Sequence, residues 1–162
     1  PEEFALRVRE PHLLVARAPS TTPHADRPEF STLLLRSRAR GPEHRPSLLP
    51  VRKRPGGNPF GMMVTIGRAA NNDIVLVDPA VSKLQCYLHR FGGTWAVCDP
   101  GSTNGTTIDG VAVRGVSAPL RSGARLQLAD VYELVFLEPT DLHALVEGRR
   151  APDVTRPDAC AS

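Results

Sequence analysis

The chain has 162 residues, of which 41% are apolar, 23% charged and only 5% aromatic, and its formal net charge is +3. That length suits one ordinary domain with extra tails, and so few aromatics mean a core built mainly from Leu, Val and Ile. No stretch approaches the roughly 20 apolar residues of a membrane-spanning helix and no charged-then-apolar signal segment opens the sequence, so the expectation is a soluble, cytoplasmic protein.

In chain order, residues 1–30 read as an N-terminal extension and linker. FALRVREPHLLVAR is expected to form a short helix broken at Pro11 and then a strand, and APSTTPHADRPE at 18–29 is poor in apolar side chains and rich in Pro and Thr. A chain that begins at Pro1 instead of Met reads as a fragment or processed product. Residues 31–139 carry short apolar runs separated by Gly, Pro, Asn or Asp: TLLL, SLLPVRK, MVTIG, DIVLV, LQCYLHRF, TWAVC, TTI, VAV, RLQL and YELVFL. Runs this short, with turn residues between them, predict an antiparallel β-sandwich or barrel. Gly92-Gly93 and Asp109-Gly110 supply positive-φ pairs for two tight hairpins. Residues 140–162 are expected to hold a short helix, capped by Thr140, striped by Leu142, Leu145 and Val146 and ended by Gly148, followed by a disordered tail.

Charge is uneven along the chain. Residues 1–62 hold 11 Lys+Arg against 6 Asp+Glu, whereas residues 63–139 hold 6 against 7. Arg36, Arg38, Arg40, Arg45, Arg52, Lys53 and Arg54 are scattered among prolines, a pattern of solvated surface, and no interleaved aromatics or helix-turn-helix spacing favours nucleic acid. Cys86, Cys98 and Cys160 are odd in number and lack paired spacing, which argues against a disulfide framework and a zinc site.

The polar loops carry the functional signal, because a sandwich commits its strands to the core and leaves its loops free to bind. Gly67-Arg68, Val81-Ser82-Lys83 and GSTNGT at 101–106 together offer a guanidinium, an ammonium, hydroxyls and an amide. This set suits a phosphate ester: the guanidinium bonds two oxygens at once, the ammonium adds a point charge and the hydroxyls satisfy remaining lone pairs.

With Gly-Arg at 67–68, Asn-Asp-Ile at 72–74, a Ser-x-x-Gln at 82–85 and Gly-Ser-Thr-Asn-Gly-Thr at 101–106 in register, residues 63–137 resemble the forkhead-associated (FHA) domain. The resemblance implies an antiparallel sandwich of about eleven strands. It also implies a phosphothreonine-dependent peptide-binding module without catalytic activity, cofactor or metal, acting in Ser/Thr kinase signalling and, given the Arg, Ala, Pro and Leu bias, in a bacterium. Its partner would be a phosphothreonine-containing protein or peptide, such as a Ser/Thr kinase or its substrates. Carried over by position, Arg68 and Ser82 would contact phosphate, Lys83 would contact phosphate or peptide backbone, Thr103 would complete the phosphate pocket and help house the threonine methyl, and Asn104 would hold the peptide backbone. Gly67, Gln85, Gly101, Ser102 and Gly105 would support them. Gln85 departs from the pattern, since His is usual there as a brace between loops; a Gln can donate and accept in similar directions.

Competing readings stand beside these. Arg68 can pair with Asp73 or Asp78, Ser82 can cap local backbone, Lys83 can be solvated, and Asn104-Gly105 is a turn dipeptide in any hairpin. Gly101 to Gly105 superficially mimics a nucleophile elbow, but the hairpin that follows, rich in β-branched residues, rejects it, and no Gly-Lys pair makes it a P-loop. A phospho-independent interaction surface is the serious alternative, with a basic nucleic-acid-binding surface behind it.

Overall fold

A computed structural model describes residues 9–17 and 47–148. The expected linker at 18–29, the TLLL run, Arg36, Arg38, Arg40 and Arg45, and the tail with Cys160 lie outside the described residues.

Eleven strands and one helix make up the described chain: β1 (His12–Arg17), β2 (Ser47–Pro50), β3 (Met63–Gly67), β4 (Ile74–Val75), β5 (Cys86–Phe91), β6 (Thr94–Cys98), β7 (Thr106–Ile108), β8 (Val111–Ala112), β9 (Ser117–Leu120), β10 (Arg125–Leu128), β11 (Tyr132–Leu137) and α1 (Pro139–Val146). One sheet has the order β2-β1-β11-β10-β7-β8 and the other β4-β3-β5-β6-β9. All pairings are antiparallel except β3 with β4, so the second sheet is mixed.

Period-two patterning decides which face is buried. Cys86 and Leu88 of β5, Val64 and Ile66 of β3 and Val97 of β6 pack inward from one sheet; Leu126, Leu128, Leu134 and Phe136 pack inward from the other. Trp95 meets Phe136 across the two layers with ring centroids 6.2 Å apart, so even the sparse aromatics join the sheets. The hairpin glycines adopt the required left-handed backbone, with φ of 57° and 86° at Gly92-Gly93 and 48° and 84° at Asp109-Gly110.

Four features differ from the sequence expectation. The stretch assigned to the N-terminal extension supplies β1, which is hydrogen-bonded between β2 and β11, so the sandwich begins upstream of residue 31. Its Leu13 is fully buried, and that burial holds the strand in the sheet. Strand β9, SAPL, was hidden by Pro119; an edge strand tolerates a proline because one side needs no donor. The DIVLV run narrows to two residues because the chain turns at Leu76 to Asp78. The helix is entered from Glu138 with Pro139 in its first turn, not from Thr140, and of the stripe only Leu142 is buried while Leu145 and Val146 stay 37% and 38% exposed. Among the described residues no helix is long and apolar enough to cross a membrane.

A buried carboxylate fastens the segment before β3 to the sheet. The Asp73 side chain is fully buried and accepts from Lys53 Nζ at 2.8 Å, the Arg54 and Thr65 N–H groups at 2.8 Å and Asn58 Nδ2 at 3.1 Å. Lys53 also reaches Asn58 Oδ1 and the Met63 carbonyl, which answers its place in the basic stretch: its charge is spent inside the fold. Removing one partner of a buried, hydrogen-bonded pair costs about 3–5 kcal/mol. Asp73→Ala is therefore expected to lower the unfolding free energy by about that amount in urea denaturation, and Lys53→Met to cost a comparable amount, because it leaves the fully buried Asp73 carboxylate without its cation.

Candidate functional site

Strand pairing brings one set of strand ends together. Ile66 is opposite Cys86, Tyr87 opposite Cys98, and Thr106 opposite Leu128, so the end of β3, the start of β5, the end of β6 and the start of β7 share one rim of the sandwich. The loops at 68–73, 76–85 and 99–105 leave from that rim.

Gly67 lets the first two loops touch. A Cβ built there would lie 2.9 Å from Leu84 Cα and closer still to the Lys83 carbonyl oxygen, so any side chain would push the loops apart. With none present, the Arg68 N–H donates to the Ser82 carbonyl at 2.9 Å and the Ala69 N–H to the Lys83 carbonyl at 3.1 Å. Asn72, buried, adds bonds from its Nδ2 to the carbonyls of Lys83 at 2.6 Å and Ala69 at 2.9 Å. Arg68 Nε donates to the Val81 carbonyl at 3.1 Å, which fixes the guanidinium plane. Its pairing with Asp73 or Asp78 does not occur: Asp73 is held by Lys53, and Asp78 Oδ1 caps the Ala80 N–H at 2.8 Å.

The third loop is folded around Asp99. This carboxylate, fully buried, accepts from the Gly101 N–H at 2.8 Å, the Ser102 N–H at 2.6 Å and the Ser102 hydroxyl at 2.6 Å. Gly101 and Gly105 take φ of 119° and 80°, values open to glycine, so the chain can wrap the carboxylate. Burial alone pushes the Asp99 carboxyl up, but the bonds from Ser102, Gly101 and the Thr106 hydroxyl outweigh it and hold the group below the usual carboxylate range.

Gln85 joins the loops to one another. Fully buried, it accepts the Ser82 N–H on Oε1 at 3.0 Å and points Nε2 at Ser102 Oγ (2.9 Å), the Gly105 carbonyl (2.7 Å) and Thr106 Oγ1 (3.1 Å). The bracing position thus has an amide whose donors and acceptor are all used. Two further contacts cross the gap: the Thr103 N–H donates to Ser82 Oγ at 2.9 Å, and Asn104 Nδ2 donates to the Ala80 carbonyl at 2.8 Å. One hydrogen of the Asn104 amide is therefore occupied within the protein, leaving its other hydrogen and its oxygen for a ligand.

Arg68, Ser82, Lys83, Thr103 and Asn104 line one hollow of about 380 Å³, together with Pro79, Ala80, Val81 and Leu84. Arg68 and Lys83 are exposed at its edge with no ion pair among the described residues. Two solvated cations, two hydroxyls and an amide around a small concavity are chemically suited to an anion with several acceptor oxygens. No cluster of three or more His, Cys, Asp or Glu gathers to hold a metal among the described residues. Sequence reasoning missed Asp99, although an Asp three residues before Ser102 in Asp-Pro-Gly-Ser is an Asx-turn signal. It also missed Asn72 as a loop tie, and Arg114, whose Nη2 donates to the Ser102 carbonyl at 3.0 Å.

A carboxyl held below its unfolded value contributes stability that is present above the unfolded pKa, near 4, and is lost as pH falls through the folded one. Urea denaturation of the wild type and Asp99→Asn between pH 2.5 and 7 is expected to show a stability difference that is constant above about pH 5 and shrinks below about pH 4. A difference independent of pH throughout would mean that the ionised form is not what the loop holds.

Residues 64–129 match the FHA domain family. Solved structures with the same fold include the FHA domain of an Arabidopsis thaliana hypothetical protein, 18% identical at a TM-score of 0.54 over 81% of this chain and 86% of that one. An FHA domain from a structural and functional analysis of phosphothreonine-dependent FHA domain interactions is 18% identical at a TM-score of 0.50, covering 79% of this chain and 95% of that one. The FHA domain of a Chlamydia trachomatis protein is 15% identical at a TM-score of 0.50, covering 80% and 97% respectively. At these identities the likeness is one of fold. Comparison with curated proteins gave no match.

Proposed function

We propose, from the match of residues 64–129 to the FHA domain family, that this chain is a phosphothreonine-dependent peptide-binding module that mediates protein–protein contact in Ser/Thr kinase signalling. The observation that carries the reading is the convergence of Arg68, Ser82, Lys83, Thr103 and Asn104 on one hollow. A phosphothreonine brings about −1.5 to −2 charges and three acceptor oxygens at neutral pH, which the two cations and two hydroxyls match in sign and number.

The roles follow from reach and chemistry. Arg68, its guanidinium oriented by the Val81 carbonyl, has Nη groups to donate to two phosphate oxygens. Lys83 adds a mobile point charge, and the Ser82 and Thr103 hydroxyls donate to the remaining lone pairs. The half-used amide of Asn104 takes the peptide backbone on the outer side. Gln85 supports the reading against a phospho-independent surface, because its four hydrogen bonds supply the loop brace that a replaced His would otherwise leave open. The partner class is a phosphothreonine-containing kinase or kinase substrate, and the role is one of binding, with no catalytic group assigned.

Calorimetric titration with one threonine peptide in phosphorylated and unphosphorylated form tests this directly. Charged hydrogen bonds contribute about 1.5–3 kcal/mol each, so the phosphorylated peptide is expected to bind at least tenfold more tightly. Arg68→Ala should remove most of that gap while leaving the melting temperature near wild type, since the residue is exposed on a loop. Equal affinity for the two peptides would instead select the phospho-independent interaction surface.

A further inference from the structure

Arg114 enters no part of the hollow, yet it is tied to the loop that forms one wall of it. It follows β8, where the Gly115 N–H donates to the Asp99 carbonyl at 2.8 Å and Asp99 and Arg114 form an isolated bridge. From that fixed origin its guanidinium reaches the Ser102 carbonyl, Nη2 to O at 3.0 Å. The same peptide unit carries the Thr103 N–H, which donates to Ser82 Oγ at 2.9 Å. In a trans peptide the C=O and N–H point in opposite directions, and no cis bonds occur among the described residues. The 102–103 peptide is therefore clamped end to end, with a cation on its oxygen and the Ser82 hydroxyl on its N–H.

We propose that Arg114 is a positioning residue that acts through this peptide unit on Ser82, making the Ser82 hydroxyl a committed donor into the hollow. A cation on a carbonyl oxygen polarises the amide and strengthens the bond its N–H donates. That bond occupies an acceptor site on Ser82 Oγ, and the hydroxyl proton is left to point elsewhere. Inside the protein its other contact is Thr103 Oγ1 at 3.4 Å, a long one. A phosphate oxygen in the hollow is the stronger acceptor, so the relay runs from Arg114 through the backbone and Ser82 to the ligand without Arg114 touching it.

The consequence for affinity rests on the phosphothreonine reading, whereas the polarisation of the peptide does not, and two measurements keep them apart. In the ligand-free protein, the Thr103 amide proton is expected to move upfield in Arg114→Gln and to recover in part in Arg114→Lys, which keeps the charge but not the guanidinium geometry. An unmoved Thr103 resonance in a folded Arg114→Gln would overturn the proposal whether or not any peptide binds. For binding, Arg114→Gln is expected to weaken a phosphothreonine peptide about three- to tenfold in the wild-type background and to leave it unchanged in a Ser82→Ala background. The same loss in both backgrounds would mean that Arg114 acts as a distant charge, and the relay would be rejected. If the wild type binds neither peptide form, the function proposed above fails, and the Thr103 resonance alone decides the role of Arg114.

Discussion

A buried carboxylate shapes the rim that everything else at the site depends on. Asp99 lies fully out of solvent with no cation bonded to its oxygens among the described residues, a state that is costly unless donors replace water. The chain supplies them by turning back over it, and the geometry of that turn is the geometry of the 101–105 loop. Ser102 is the main donor, giving both its N–H and its hydroxyl to the carboxylate while accepting the Gly105 N–H at 3.0 Å. Thr103 and Asn104, exposed at the apex, are pointed outward because their neighbours are committed inward.

Gln85 carries this order from one loop to the next, and its chemistry matters. Every polar hydrogen it owns has an acceptor within 3.1 Å and its oxygen has a donor at 3.0 Å, so it satisfies the requirement that buried polar groups be paired. A primary amide offers two donors and an acceptor in one plane and does not titrate. A histidine in the same place would offer one donor and one acceptor when neutral, and would lose the acceptor on protonation near pH 6.5. The Gln85 junction between the 76–85 and 99–105 loops in this chain therefore carries no titratable group where a histidine would supply one.

The strands and tight turns were readable from local pattern because they rest on local physics. Period-two burial marks β5, β10 and β11, and positive φ marks the two hairpins; both are written in adjacent residues. Strand β9 was not readable because its tolerance of Pro119 comes from lying at a sheet edge, a fact about topology. Strand β1 was recognisable as a strand, but its membership of the sheet follows from the pairing of Leu13 with Phe136, more than a hundred residues away. At the site, the hydroxyls and cations were visible as a chemical set. The loop contacts that gather them were not, since Gln85 to Gly105 and Asn104 to Ala80 close over about twenty residues of intervening sheet. Arg114 left no signal at all, because nothing in VAVRGV distinguishes an arginine that bonds a carbonyl from one in solvent.

A buried anion and a hollow lined by two cations share one rim of the sandwich. Asp99 and Arg114 meet through a backbone bridge and then act on opposite sides of the same short segment, one accepting from its N–H groups and the other donating to its carbonyl. The segment is ordered by both signs at once, and the field that an approaching anion meets is set by Arg68, Lys83 and the outward hydroxyls. The groups that order the loop, Asp99 and Arg114, are thus distinct from the side chains that line the hollow, so under the proposed function loop order and ligand attraction are separable.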